Sequence, residues 1–121
     1  MRKALGPLLI WLATALPAAG CSPTAPVSLD NADNGRMVPL AAGMEADLTL
    51  QTIGGGHYGD PVLSSTSITF LGMSYPPEQN PGGPRQLYRF RAVSPGTAEV
   101  SIPHLGGLTE TPPFVLTLDV H

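Results

Sequence analysis

The chain of 121 residues has little cysteine, tryptophan or lysine: one of each. A lone cysteine, Cys21, cannot close a disulfide within the chain, so any core must hold by packing alone. Lys3 and Trp11 both stand within the first twenty residues. Beyond them the chain keeps four arginines against nine carboxylates, a formal charge of −5. A lysine-free acidic surface excludes nucleic acid as a partner, because such binding is dominated by cationic contacts to phosphate. It argues equally against electrostatic docking on anionic lipid. Sustained helical periodicity is missing as well. There is no Gly-x-Ser-x-Gly elbow, and no phosphate-binding lysine follows the triple glycine Gly54 to Gly56. No recognisable motif sets two carboxylates together. The expectation is a protein without catalytic residues or a cofactor.

The N-terminus is informative by contrast. Arg2 and Lys3 precede an uncharged run from Ala4 to Leu16, and the small residues Ala18, Ala19 and Gly20 follow. This is the three-part layout of a secretory signal peptide. A membrane span needs about 20 apolar residues, and this run is shorter and holds Gly6 and Pro7. Residues 1–20 are therefore expected to be removed on export.

The stretch "LPAAGC" (Leu16 to Cys21) also resembles the lipobox of bacterial lipoproteins, with Ala18 where a leucine is usual. An ordinary signal peptidase would cut the same bond. The resemblance implies that the Cys21 thiol takes a diacylglyceryl group and becomes a fatty-acylated, palmitate-type N-terminus. Two or more chains hold a protein stably on a bilayer, so the membrane becomes a partner through the lipid. Ser22, in place of aspartate, implies outer-membrane sorting, facing the periplasm, in an organism with two membranes. Residues 21–26 then form the lipidated cysteine and a tether of about 15 Å, and residues 27–121 form one domain.

Within that domain, glycine and proline punctuate short runs of period two. Ala46, Leu48 and Leu50 share one side of "EADLTLQTI"; Ile68 and Phe70 share one side of Ser67 to Phe70. Tyr88, Phe90 and Ala92 alternate with Arg89 and Arg91. Ala98, Val100 and Ile102 form a further set, and Phe114, Leu116, Leu118 and Val120 another. Alternation with one wet face predicts an all-β protein, an immunoglobulin-like antiparallel β-sandwich of about seven strands. Val27 to Leu29 and Met37 to Leu40 read as edge strands, since Pro39 suits an edge. "SPG" (Ser94 to Gly96) predicts a hairpin with a type II turn. "DNADNG" (Asp30 to Gly35) begins like an EF-hand loop but has Ala32 and Ala41 where ligands are required, so it reads as a turn.

Three loops exceed what a sandwich needs: Gly54 to Pro61, Tyr75 to Arg85 and Pro103 to Pro113. No pair among His57, Asp60, His104 and His121 has metal-ligand spacing, so no metal is expected. If "PVLSS" (Pro61 to Ser65) adds a strand crossing, all three loops share one end; without it the first loop lies opposite the others.

The stretch from Ile68 to Ile102 resembles the second half of the chagasin-like family, immunoglobulin-like inhibitors of papain-type cysteine proteases. The resemblance rests on Tyr75-Pro76, Gly82-Gly83, Tyr88-x-Phe90-x-Ala92, Pro95-Gly96 and Ala98 to Ile102. Of the family's first loop, Asn-Pro-Thr-Thr-Gly-Tyr, only Tyr58 is kept, and its third-loop Arg-Pro-Trp is replaced by "IPHLGG". The middle loop, Pro81-Gly82-Gly83, is similar. The expected function is a lipid-anchored module that grips an extracytoplasmic protein through Gly56, His57, Tyr58, Pro81, Gly82, Gly83 and His104. The alternatives are a structural envelope lipoprotein without a specific ligand and a chagasin-like protease inhibitor.

Overall fold

The computed structural model describes residues 25–52, 55–76 and 84–121. Cys21 and the signal segment, together with Pro81, Gly82 and Gly83, lie outside the described residues. Seven strands of four residues or more are present among those described: β1 (Val27–Asp30), β2 (Met37–Leu40), β3 (Glu45–Gln51), β6 (Ile68–Ser74), β7 (Arg85–Ala92), β8 (Gly96–Ile102) and β10 (Phe114–Val120). Three two-residue strands complete the set: β4 (His57–Tyr58), β5 (Val62–Leu63) and β9 (His104–Leu105). One sheet runs β1-β3-β7-β6, the other β2-β10-β8-β5, and β4 pairs with β9 apart from both.

The expected sandwich is what forms, because each alternating run turns its apolar set inward. Ala46, Leu48, Leu50, Phe90, Ala98, Val100, Ile102, Leu116 and Leu118 are fully buried, with Tyr88 and Ala92 nearly so. Fully burying a side chain such as Leu, Val or Phe contributes about 1.5–3 kcal/mol. All the core residues fall between Leu29 and Val120, so this stretch carries its own core. The outer face of the first sheet is wet and fixes register with cross-strand charge pairs. Asp47 lies opposite Arg89 and Glu45 opposite Arg91, the latter pair 2.9 Å apart.

Two expectations need correction. The pairing is not wholly antiparallel: β1 runs parallel to β3, and β2 runs parallel to β10. The cause is the 3-10 turn Asn31–Asp33, which carries the chain from the edge of one sheet to the edge of the other. The Asp30 carboxylate accepts from Ala32 N–H, and the Asp33 carboxylate accepts from Asp30 N–H. These side chains are thus spent on the turn itself. Pro39, as expected, sits on an edge.

Nor is Ser94 to Gly96 a hairpin. The strands it joins, β7 and β8, belong to different sheets, so the segment is a corner of the sandwich. Val93 N–H bonds to the Ser67 carbonyl at 2.8 Å, and Gly96, with φ +143, leaves room for the Ser67 hydroxyl. The β6 strand also outruns its expected end at Phe70, continuing through a bulge to Ser74.

The added crossing does form. β5 pairs with β8, and Ser64 to Ser67 then carry the chain across to β6. Glu99 N–H bonds to Ser64 Oγ at 2.7 Å and Ser65 Oγ to the Thr97 carbonyl at 3.0 Å, so hydrogen bonds to β8 hold the crossing in place.

Candidate functional site

Register places all three long loops at one end. β3 finishes at Gln51 opposite Arg85, the first residue of β7. β6 finishes with Ser74 opposite Leu87, and β8 finishes with Ile102 opposite Phe114, the first residue of β10. β5 begins opposite Ser101, close to the same end. The β3–β5, β6–β7 and β8–β10 connections therefore leave from one end of the sandwich, the loop end.

Two of these loops are joined to each other. His57 pairs with Leu105 and Tyr58 with His104, and Gly59 N–H continues the ladder to the Pro103 carbonyl at 2.8 Å. Glycine makes the approach possible. Gly56 has φ +83, and a Cβ there would meet His104 Cε1 at 2.6 Å and the Leu105 carbonyl oxygen at 2.7 Å. The His104 ring stands edge-on to Tyr58, with centroids 5.1 Å apart and planes at 87°.

A buried amide anchors this pair to the sandwich. Gln86, 2% exposed, accepts from Tyr58 N–H through Oε1 and donates to the Tyr58 carbonyl through Nε2, both at 2.8 Å. Its side chain thus takes the place of a strand backbone for β4. Gln86 Nε2 also donates to Tyr88 Oη at 3.2 Å, and Tyr88 donates to the Gly59 carbonyl at 2.7 Å. Burial, with lesser contributions from Asp60, Tyr75 and Tyr58, pushes the Tyr88 phenol up from 10.0 to about 12.

That shift has a testable sign. Above pH 10 the unfolded chain loses the Tyr88 proton while the folded chain keeps it. Its stability contribution is complete below pH 10 and is lost as pH rises through about 12. Tyrosinate absorbance should show a late step near pH 12 that is missing in Tyr88→Phe. An unchanged late step in that variant would assign it to another tyrosine.

The seven residues expected to bind divide two ways. Gly56, His57, Tyr58 and His104 are brought together, whereas Pro81, Gly82 and Gly83 lie outside the described residues. Tyr58 is only 9% exposed and packs as a core residue, while His57 is exposed. Among the described residues of this end, exposed apolar side chains include Leu108, 96% exposed, with Tyr75, Leu105 and, at the start of β5, Val62. Leu108 follows Gly106 and Gly107, both with positive φ, at the tip of the third loop. His121 lies at the opposite end, at the close of β10. No group of three or more His, Cys, Asp or Glu that could hold a metal occurs among the described residues.

Beneath the joined loops lies a cleft of about 420 Å3, lined by Asn31, Gln51, Thr52, Tyr58, His104 and Thr111. Thr52 Oγ1 and His104 Nδ1 are buried there without a hydrogen-bond partner among the described residues.

No family model matches the chain, and no curated protein matches it. Solved structures do. Amebosin superposes with a TM-score of 0.60 at 15% identity, covering 81% of this chain and 100% of its own. The cysteine protease inhibitor EhICP2 from Entamoeba histolytica superposes with a TM-score of 0.62 at 10% identity, covering 80% of this chain and 96% of its own. The β-sandwich of this chain is the fold of these two structures. At these identities the likeness is one of fold alone.

Proposed function

We propose that this protein is a lipid-anchored extracytoplasmic module whose loop end binds a protein partner. The observation that carries the reading is the convergence of three long loops on one end, two of them locked together by the β4–β9 ladder. Loops held on a rigid sandwich are where binding residues concentrate. The tip offers Leu108, Leu105 and Tyr75 as apolar contact surface. An apolar side chain kept almost fully in water gains most when a partner covers it.

The direction of β1 supports the anchor geometry. Running parallel to β3, it begins at Val27 beside Ala46, at the end opposite the loops. A tether attached at Cys21 would leave the loop end facing away from the bilayer, roughly 23 Å off by the length of a seven-residue strand.

A second reading, inhibition of a papain-type cysteine protease, is favoured by the fold shared with the inhibitor EhICP2. The first reading contains it, since a protease is one kind of protein partner.

The test uses a photo-reactive residue at Leu108 in the exported protein, with Val93 at the opposite end as control. A discrete heavier band from position 108 alone is the expected result, and slowing of papain by excess protein would identify a protease as the partner. Equal or absent crosslinking at both positions would leave a structural lipoprotein without a specific ligand. Incorporation of a palmitate analogue, lost in Cys21→Ser, tests the anchor separately.

A further inference from the structure

The two four-stranded sheets end in β1 and β6 on one side and in β2 and β5 on the other. A free edge is a template for a further strand, and long ones are ordinarily guarded by charge or proline. Three of these edges are short: β1 and β2 have four residues each, β2 with Pro39 among them, and β5 has two. β6 has seven, Ile68–Ser74, and is the one strand of that length or more among those described without a charged residue. Among the described residues, Ile68–Ser74 hydrogen-bond to β7 alone. Thr69, Leu71, Met73 and Ser74 are exposed along it, Leu71 to 40% and Met73 to 39%.

The bulge between Phe70 and Gly72 divides this edge. Beyond it Gly72, Met73 and Ser74 are back in register, opposite Arg89, Tyr88 and Leu87, and the chain passes directly into the loop end at Tyr75. The open half of the edge is thus continuous with the exposed apolar surface of the loops.

Geometry decides what can cover it. Two identical edges meet antiparallel about a twofold axis, so a second copy would point its loop end the opposite way. Its tether, at the end of β1 away from the loops, would then lie about 23 Å, one seven-residue strand, further from the bilayer. A tether of about 15 Å does not span that distance. A segment of another protein has no such constraint. Beside Leu71 and Met73 a charged side chain would lose hydration without a counter-charge, so the segment is uncharged where it pairs.

We propose that the Gly72–Ser74 edge of β6 takes up, as an added strand, an extended uncharged segment of the protein bound at the loop end. The inference rests on the loop-end reading for the identity of the partner, and on β6 itself for the mode of binding: backbone hydrogen bonds supply the attachment, and Leu71 and Met73 the apolar contact.

The probe is a six-residue peptide alternating threonine and valine with blocked ends, and its analogue N-methylated at alternate amides, which cannot complete the ladder. Backbone amide NMR follows the protein without residues 1–20, whose core lies between Leu29 and Val120. The expected result is a saturable shift at Gly72, Met73 and Ser74 but not at Ser28 on the β1 edge, weakened about tenfold or more with the N-methylated peptide. Equal binding of the two peptides, or no saturable shift at β6, would overturn the proposal. So would dimers in sedimentation that the plain peptide breaks up, which would give the edge to a second copy. The crosslink from Leu108 reads the loop end separately. If it persists while the peptide fails to bind, strand addition falls and the loop-end reading stands; if the peptide binds without it, β6 stands as a site and the loop-end reading falls.

Discussion

Gln86→Leu should lower the unfolding free energy by about 3 kcal/mol, read from the midpoint of urea denaturation. Leucine fills much of the same volume, so the cost comes from polarity and not from a cavity. It removes both hydrogen bonds that Gln86 makes to the Tyr58 backbone and leaves that N–H and C=O without partners in a buried place. Each such group costs about 1–3 kcal/mol, against a total stability of about 5–15 kcal/mol for an ordinary domain. The damage should be local in structure. The β3–β7 ladder has its own backbone bonds, whereas β4 has the Gln86 side chain on one side and β9 on the other. Amide exchange should accelerate at Tyr58 and Gly59 more than at Leu48 or Phe90. Uniform acceleration would mean that Gln86 holds the whole sandwich and not the loop end in particular.

Gln86 is legible in the alternation of its own strand. It stands on the inward parity of Tyr88, Phe90 and Ala92, and Thr52 stands on that of Ala46, Leu48 and Leu50. A polar residue at a core position is where a sequence departs from the rule that builds the fold, and such departures gather at functional or strained places. Both belong to the loop end. The inward faces of the long strands are equally plain, because period two with one wet face has a single reading. Pairing is not. Two strands whose apolar sets face the same core look alike whether they are neighbours in one sheet or face each other across the sandwich. Ser94 to Gly96 therefore reads as a hairpin when it is a corner. The parallel edges β1 and β2 leave no trace in alternation, since parity is blind to strand direction. The β4–β9 ladder is two residues long and has no period to detect. Its signal lies instead in glycine: Gly55-Gly56 and Gly106-Gly107 are the places where two backbones come close.

That closeness gives the other large prediction, and two glycines with the same dihedral isolate it. Gly35 and Gly56 both have φ +83. An alanine at either position takes on the same left-handed strain, about 1–2 kcal/mol. At Gly35 nothing lies within 4 Å of the added Cβ. At Gly56 it meets His104 Cε1 at 2.6 Å, the Leu105 oxygen at 2.7 Å and the Gly106 carbonyl carbon at 3.1 Å. Two of these atoms are backbone, so a rotamer change cannot relieve the contact, and the loops must move apart. Overpacking of this kind costs about 1–3 kcal/mol more. Gly35→Ala should therefore lose about 1–2 kcal/mol and Gly56→Ala about 2–5 kcal/mol. Function should divide more sharply than stability. Gly35→Ala should keep the crosslink from Leu108, because its turn lies outside the β4–β9 ladder. Gly56→Ala should lose the crosslink while Leu48 and Phe90 amides stay protected, since the core is built without that ladder. Equal losses of stability from the two variants would mean that the loops are not in contact at Gly56. A crosslink that survived Gly56→Ala, with the loops parted, would show that the tip of the third loop binds by itself.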